Sequence, residues 1–371
     1  MRVLIRGPVD PWTGYGRDVI GLCEALLDLR VDVSLWPLSI APGVPERVAA
    51  LLRRPVDPPY DAVIWYCPPE NIQPWSMWGW GTVQLGWTMW ERLPFTGANL
   101  PWWEDDDPDL SRGYVWSQRY LNRDAPAKGW LDALIVTCRM NRDAFAHIEH
   151  HLPIEVIPPG VDADNYPYVT RPEPDGRAVR FGWSGVPSPR KNLPAMLDAW
   201  AKFRREHPDV DAELEVKTSG IGAGVLEALQ LADVTVHRYT WSTKQLADWY
   251  SSLDCLISTS RGEGMNKPAC EAMATGATVA APLWGGHEHW LHPDTGYEIA
   301  HELVASPFEA GTQDCEVNVD DLASLLPQIA ADHAGRRARG HAGARLVRSG
   351  LSWRRSAEAL LRIASRHLAD V

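Results

Sequence analysis

Two short apolar runs flank a helical stretch in the segment 254–281, DCLISTSRGEGMNKPACEAMATGATVAA. The run at 255–259 predicts a buried strand, and a glycine-bearing loop follows at 261–265. Pro268 then opens a helix that Gly276 ends, and the second apolar run predicts another strand. The segment therefore predicts a βαβ unit, and the helix N-terminus, with its unbonded backbone N–H groups, suits a phosphate.

Strands and helices alternate along the rest of the chain as well. Apolar runs predict strands near Val3, Val33, Ala62, Val83 and Leu134. Helical periodicity predicts helices that include 17–29 and 142–150. Such alternation is typical of α/β folds with parallel sheets, and 371 residues are enough for two domains of ordinary size.

Two carboxylates frame the predicted phosphate site. Glu263 lies in the loop before the helix and Glu271 lies early in the helix, with seven residues between them. Because carboxylates only accept hydrogen bonds, they suit a ligand that offers hydroxyl groups as well as phosphate. A nucleotide sugar is such a ligand.

The same segment resembles the E-x7-E signature of the retaining glycosyltransferases of sequence family 4, which have the GT-B fold. The matching positions are Glu263, Gly264, Pro268, Glu271, Ala272, Met273, Ala274, Gly276, Val279 and Ala281. Met265, Asn266 and Lys267 stand where the family usually has Phe-Gly-Leu. The replaced glycine lies near the donor phosphates in the family, and Asn can adopt the left-handed conformation that glycine adopts.

A second motif brings cations to this loop. The segment 181–200 resembles the family's strand–glycine–loop–RKN–helix element, in which an Arg and a Lys contact the donor diphosphate. Lys191 matches that Lys, Arg190 belongs to the same run, and Val186 stands where many members have an Arg. Fixed cations stabilise a departing diphosphate more in the transition state than in the ground state. The alternative is a solvated pair in the first turn of a helix.

The resemblance implies a role for each matched residue. Glu263 would accept hydrogen bonds from the donor sugar and Glu271 from the ribose, while Arg190 and Lys191 would hold the diphosphate. The catalytic candidates are therefore Glu263, Lys191 and Arg190. Besides Glu271, the donor-binding candidates are Gly264, Met265, Asn266, Gly185, Lys217, Thr218, Arg238, Tyr239, Gly14 and Gly16.

The N-terminal half resembles the family more sparsely. Gly14-Tyr15-Gly16-Arg17 resembles the glycine loop after the first strand, and GWTMWERLP at 86–94 resembles a segment on the acceptor side. Ten of the 19 tryptophans lie between Trp65 and Trp130, and their flat rings suit stacking on a sugar, base or lipid chain; core filling is the alternative. The acceptor-side candidates are Tyr15, Arg17, Trp90, Glu91, Trp75, Trp78 and Trp80.

The resemblance also implies the architecture. In the GT-B fold, two Rossmann-like parallel-sheet domains face each other across a cleft, and a C-terminal helix packs back on domain one. We expect an acceptor-side domain at 1–158, with an insertion at about 102–127, and a linker at 159–177. A nucleotide-sugar-binding domain would span 178–345, and an Arg-rich C-terminal helix 346–371.

Composition adds expectations about partners and location. Nine arginines lie between Arg336 and Arg366 although the net charge is −12, so this tail would contact an anionic membrane or nucleic acid, or form a solvated helix face. No apolar run approaches the roughly 20 residues of a membrane helix, and no signal peptide precedes the first strand. Six scattered cysteines favour a reducing cytoplasm. We expect a cytoplasmic protein that can lie at a membrane surface.

No metal or other cofactor is expected, since His287-Glu288-His289 and His292 make a poor tetrahedral set. The sequence therefore predicts a metal-independent, retaining glycosyltransferase that moves a sugar from a nucleoside-diphosphate sugar to a hydroxyl of a glycan, lipid, protein or modified nucleic acid. Two alternatives stay open. One is a catalytically idle nucleotide-sugar or carbohydrate binder, and the other is an epimerase or phosphorylase of the same fold.

Overall fold

The computed structural model describes residues 1–77, 79–93, 131–146, 152–171, 176–218, 234–308 and 311–369. The chain divides into two compact units. Unit 1 comprises Met1–Gly160 and Leu351–Val371, and unit 2 comprises Val161–Gly350. The predicted insertion at about 102–127 lies outside the described residues.

Unit 1 contains a parallel six-stranded sheet in the order β2-β1-β3-β4-β5-β6. Its strands are β1 (Arg2–Val9), β2 (Asp32–Ile40), β3 (Tyr60–Tyr66), β4 (Gly81–Thr88), β5 (Ala133–Val136) and β6 (Ile154–Val156). The helices among them are α1 (Gly14–Asp28), α2 (Glu46–Leu52) and α3 (Arg139–Ala146). The five strands predicted in this part of the sequence coincide with β1 to β5. Strands β3 to β5 are almost wholly buried apolar runs, as expected of strands covered on both faces, whereas the edge strand β2 buries only Val33 and Leu35.

Unit 2 contains a second parallel sheet, in the order β12-β11-β10-β7-β8-β9. Its strands are β7 (Val179–Ser184), β8 (Ala212–Lys217), β9 (Thr235–His237), β10 (Cys255–Ile257), β11 (Thr278–Ala281) and β12 (Tyr297–Glu298). An antiparallel hairpin follows, formed by β13 (His301–Ala305) and β14 (Gln313–Val317). Counted from β7, the sheet has the strand order of a dinucleotide-binding Rossmann fold.

The described helices of unit 2 are α4 (Leu193–Glu206), α5 (Thr243–Ser252), α6 (Lys267–Ala274), α7 (Val319–Ala331) and α8 (His333–Gly350). Helix α4 buries one stripe against the sheet, because its apolar residues recur every three or four positions. This stripe and the inward residues of β7, β8 and α7 form the core of unit 2. Each unit is thus a Rossmann-like α/β domain, as predicted.

The last helix, α9 (Trp353–Ala369), belongs to unit 1. It packs on α1, where a Cβ at Gly21 would lie 2.2 Å from the indole nitrogen of Trp353, so the two helices touch through a glycine. This confirms that the C-terminal helix packs on the first domain. The C-terminal segment expected at 346–371 contains the end of α8, which stops at Gly350, and the whole of α9, which starts after a two-residue break. Among the described residues, no helix is long and apolar enough to cross a membrane.

Candidate functional site

The strand order of unit 2 reverses between β7 and β10. In open parallel sheets, ligands bind beyond the carboxyl ends of the strands at such a reversal. The segment after β7 carries Arg190 and Lys191, and the segment after β10 carries Glu263. The sheet topology therefore brings together the three residues that the sequence singles out for catalysis.

The carboxylate of Glu263 is bound by both cations. Lys191 Nζ donates a hydrogen bond to Oε1, and Arg190 Nη1 lies 3.1 Å from Oε2. Burial raises the pKa of Glu263, but the charges of Lys191 and Arg190 outweigh burial and bring this pKa to about 2. The Arg190 and Lys191 side chains are 25% and 15% exposed, so they are not the solvated pair of the alternative interpretation.

Hydrogen bonds to backbone carbonyls also join the segment of Arg190 to the segment of Glu263. Arg190 Nη1 donates to the carbonyl of Gly262 at 2.7 Å, and the N–H of Arg261 donates to the carbonyl of Arg190 at 2.7 Å. Asn192, at a φ of 50°, ends this segment. Its side-chain amide donates a hydrogen bond to the carboxylate of Glu316 at 2.8 Å. The cations are therefore held before α4 by a fixed backbone instead of by flexible side chains alone.

Helix α6 begins beside Glu263. Asn266 occupies the position before the helix at a φ of 60°, which confirms that Asn adopts a left-handed backbone here. Glu271 lies within α6 and is 2% exposed. Burial lowers the pKa of Lys217, and the negative charge of Glu271 opposes this shift, so the two side chains are close enough to interact.

A further turn, the 3₁₀ helix Gly285–His289, supports the loop before α6. The N–H of Gly286 donates to the carbonyl of Glu263 at 2.7 Å. A Cβ at Gly286 would lie 2.3 Å from the carbonyl oxygen of Gly264, so only glycine fits at this crossing. The indole of Trp290 donates to the carbonyl of Met265 at 3.0 Å.

The other donor-side candidates of unit 2 lie along the same sheet edge. Gly185 follows β7, and its N–H donates to Lys217 at the end of β8 at 3.1 Å. Thr218 is buried, and its N–H donates to the last residue of β9 at 2.9 Å. Arg238 and Tyr239 follow β9 and are exposed, as is Val186 after β7.

Unit 1 carries the remaining donor-side candidates, Gly14 and Gly16, in the first turn of α1 after β1. A Cβ at Gly16 would lie 2.2 Å from the carbonyl oxygen of Asp10, so a residue larger than glycine would clash at this position. Tyr15 Oη accepts from the N–H of Met89 at 3.0 Å and thereby ties α1 to the end of β4. Burial raises the pKa of Tyr15 well above its usual value. The neighbouring Arg17 is half-buried.

Trp90 and Glu91 follow β4 at the edge where Tyr15 lies, and both are half-buried. Trp80 is not brought to them: its backbone lies directly before β4, about 26 Å from the far end of that eight-residue strand. The ring of Trp80 stacks on Trp36, with centroids 4.8 Å apart. The Trp75 side chain and Trp78 lie outside the described residues, and Trp65 and Trp87 fill the core.

Two supporting residues were missed by sequence reasoning. His287 contacts Asn266, and Asn141 holds the backbone of Trp90, accepting from its N–H at 3.2 Å and donating to its carbonyl. His287 was considered only as a metal ligand and Asn141 was not considered, since each acts on a residue distant in sequence. In the described part of the chain, no group of three or more His, Cys, Asp or Glu side chains could hold a metal ion.

The arginine-rich tail is divided between the units, since α8 lies in unit 2 and α9 in unit 1. Several of its side chains bind groups of their own unit. Arg336 and Arg348 donate hydrogen bonds to carbonyls, of α7 and of Tyr166 respectively. Ion pairs join Arg339 to Asp332, Arg354 to Glu358 and Arg366 to Glu155. These bonds favour the structural interpretation of the tail; contact with a membrane or nucleic acid stays a prediction.

Known proteins share the fold and part of the sequence. Residues 178–310 match the family model described as Glycosyl transferases group 1. A D-inositol 3-phosphate glycosyltransferase of Paenarthrobacter aurescens is 32% identical over 145 residues, which cover 36% of each chain. The chain spans from about a third to about half the length of the curated relatives it matches.

Several solved structures match nearly the whole chain, and two of them illustrate the fold. Sucrose-phosphate synthase of Thermosynechococcus elongatus has a TM-score of 0.71 at 15% identity, and the match covers 100% of both chains. The fold is GT-B. HepE of Anabaena, solved with UDP and glucose, has a TM-score of 0.62 at 13% identity, covering 99% of this chain and 100% of its own.

Proposed function

We propose that this GT-B protein is a retaining glycosyltransferase that moves a sugar from a nucleoside-diphosphate sugar to an acceptor hydroxyl. The observation that carries the proposal is the buried carboxylate of Glu263, held by Lys191 and Arg190 at the strand reversal of unit 2. The match of residues 178–310 to group 1 glycosyltransferases supports it. The UDP and glucose in the structure of HepE support a nucleotide-sugar donor.

In the proposed reaction, Lys191 and Arg190 exchange part of their contact with Glu263 for the donor diphosphate. Negative charge grows on this diphosphate as the glycosidic bond breaks, so two fixed cations lower the barrier. Glu263 then accepts hydrogen bonds from sugar hydroxyls, and Glu271 accepts from the ribose. Because its pKa is about 2, Glu263 is ionised at neutral pH, and its carboxylate can accept hydrogen bonds but cannot donate them.

The acceptor hydroxyl attacks the sugar on the face that the diphosphate leaves, so the anomeric configuration is retained. A leaving phosphate oxygen takes the proton, and no protein base is needed. No metal ion is needed either, because the cations and the N–H groups at the start of α6 supply the positive charge. Proton NMR of the product tests retention, and unchanged turnover in EDTA tests metal independence.

Thermal unfolding with nucleotides tests the donor site without knowledge of the acceptor. UDP, GDP, ADP and dTDP, with their common sugar conjugates, are compared on the wild type and Glu271→Gln. A ligand at 100 times its dissociation constant should stabilise the fold by about 2.7 kcal/mol. One nucleotide should raise the wild-type Tm, and Glu271→Gln should remove the effect. Glu213→Gln, at an exposed position of β8, is the matched control.

The alternative functions give different outcomes. If no nucleotide raises the Tm, the proposed donor site is wrong. An idle binder would show the Tm shift but release no nucleoside diphosphate from its sugar conjugate with any acceptor. An epimerase would convert the donor sugar without an acceptor, and a phosphorylase would require inorganic phosphate.

A further inference from the structure

A pair of buried side chains joins the turn Gly285–His289 to the loop before α6. Asn266 Nδ2 lies 2.9 Å from His287 Nε2 and 2.9 Å from Ser258 Oγ. Asn266 is 6% exposed and His287 is 1% exposed. Beyond the backbone bond of Gly286, the loop is thus tied to this turn by a hydrogen bond between two buried side chains.

The partners of His287 fix its protonation. Nδ1 lies 2.7 Å from the carbonyl oxygen of Pro282, which can only accept, so Nδ1 carries the proton. Nε2 is therefore the acceptor for the amide of Asn266. Burial lowers the pKa of His287 to about 4, against smaller opposing effects of Pro282 and Glu263. At neutral pH the ring is the neutral tautomer that this bond requires.

The same bond explains how Asn266 serves where the family usually has glycine. A left-handed backbone is tolerated by Asn when its side chain has local partners. Here the side-chain amide of Asn266 donates hydrogen bonds to Ser258 and His287, so the side chain points into unit 2. The loop therefore keeps a glycine-like course, and the added side chain serves as a tether.

We infer that His287 is a positioning residue for donor binding: through Asn266 it fixes the loop that carries the Glu263 carboxylate and the amides of Gly264 and Met265. The inference rests on the proposed function. His287 acts on the loop and does not itself touch the donor. Losing the tether lets the loop move, and this weakens ground-state binding of the donor as well as transition-state binding.

Two substitutions of the ring separate the hydrogen bond from the shape. His287→Phe keeps a ring and removes the acceptor, whereas His287→Gln retains an oxygen that can accept from Asn266. With the nucleotide sugar identified by thermal unfolding, His287→Phe should raise its KM about tenfold, the effect of leaving one buried donor unsatisfied. The kcat should change less, and His287→Gln should stay within about threefold of the wild type. Equal KM values for all three proteins would overturn the inference.

Asn266→Asp gives a readout that a purely structural role would not move. Its carboxylate cannot donate to neutral His287, but it can accept from the protonated ring. Donor affinity of this variant should improve as the pH is lowered from 7.5 to 5.5, while wild-type affinity stays flat. The charged or titratable groups around the ring are Glu263, Lys191 and His301. A variant whose affinity does not improve as the pH is lowered would contradict the inference.

The inference and the proposed function fail in distinguishable ways. If the wild type binds no nucleotide, the proposed function fails, and the tether is judged from structure alone. Nitrogen-15 NMR of the wild type should then show His287 protonated on Nδ1, and the backbone amides of the loop 261–266 should exchange hydrogen faster in Asn266→Gly than in the wild type. A ring protonated on Nε2, or an unchanged exchange rate, would overturn the inference without reference to activity. Glycine adopts a left-handed backbone without strain, so Asn266→Gly should still fold. It therefore tests the tether even if His287→Phe does not fold.

Discussion

The ammonium group of Lys191 donates a hydrogen bond to the carboxylate of Glu263, although 72 residues separate the two in sequence. Both side chains are largely buried, so each charge stabilises the other in the absence of ligand. In the proposed complex, the diphosphate would become a partner of Lys191, and the sugar hydroxyls would become partners of Glu263.

Lys191→Ala should lower turnover roughly 10²-fold or more, the usual effect of removing one preorganised charge stabiliser. The measurement is the rate of nucleoside diphosphate release from the donor under saturating conditions. Lys244→Ala, at an exposed lysine of α5, is the control and should be silent. A loss below about threefold would remove Lys191 from the mechanism.

Gly286→Ala should abolish nucleotide binding, because its Cβ would clash with the carbonyl oxygen of Gly264 at 2.3 Å. The backbone would have to move, and the carbonyl of Glu263 would lose its donor. Gly350→Ala is the matched control, since the nearest atom to its Cβ is a side-chain carbon of Leu346 at 3.4 Å. Calorimetric titration with the nucleotide compares the two; binding by Gly286→Ala with wild-type affinity would contradict the prediction.

Arg171→Leu should lower the free energy of unfolding by about 3 kcal/mol, because the hydrogen bonds of its buried guanidinium to three carbonyls would be lost together. The guanidinium of Arg171 donates to the carbonyls of Leu253, Tyr250 and Thr275, and so joins the C-terminal ends of α5 and α6. Urea unfolding measures the change. Arg205→Leu, at an exposed position of α4, should change it by less than about 0.5 kcal/mol, and equal losses would refute the argument.

The free energy of unfolding should fall as the pH is lowered from about 6.5 to about 4. His287 is neutral in the folded protein because burial brings its pKa to about 4, whereas the unfolded chain takes up the proton near its ordinary pKa of about 6.5. The unfolded state therefore binds more protons in this window, and the total loss is about 3 kcal/mol.

Urea unfolding at intervals between pH 7 and pH 4 measures this loss. His287→Gln has no titrating ring and should show a shallower decline over the same range, while the other histidines contribute equally to both proteins. Identical slopes would mean that His287 is not held neutral. Glu263 adds a second decline only below about pH 4.5, because its pKa lies near 2 in the folded protein.

Much of the fold was predictable because it is encoded locally. The βαβ unit around Glu263 follows from apolar runs, Pro268 and Gly276, which act within a few residues. The structure places these elements as β10, α6 and β11. The Trp-rich region was harder to interpret, since Trp87 lies in a core strand while Trp80 stacks on Trp36 from another strand. Composition indicates an excess of flat rings but not which neighbours each ring contacts.

The sequence by itself determined the α/β class, because periodicity is a local property. Its resemblance to a known family implied the two sheets and the candidate residues Glu263, Glu271, Arg190 and Lys191. Only the tertiary structure decided that Lys191 and Arg190 bind Glu263, since the strand order of unit 2 brings β7 beside β10. It also decided the tether between Asn266 and His287, which are 21 residues apart. Such contacts depend on where the backbone crosses itself, and neither residue shows in its own neighbourhood what it will meet there.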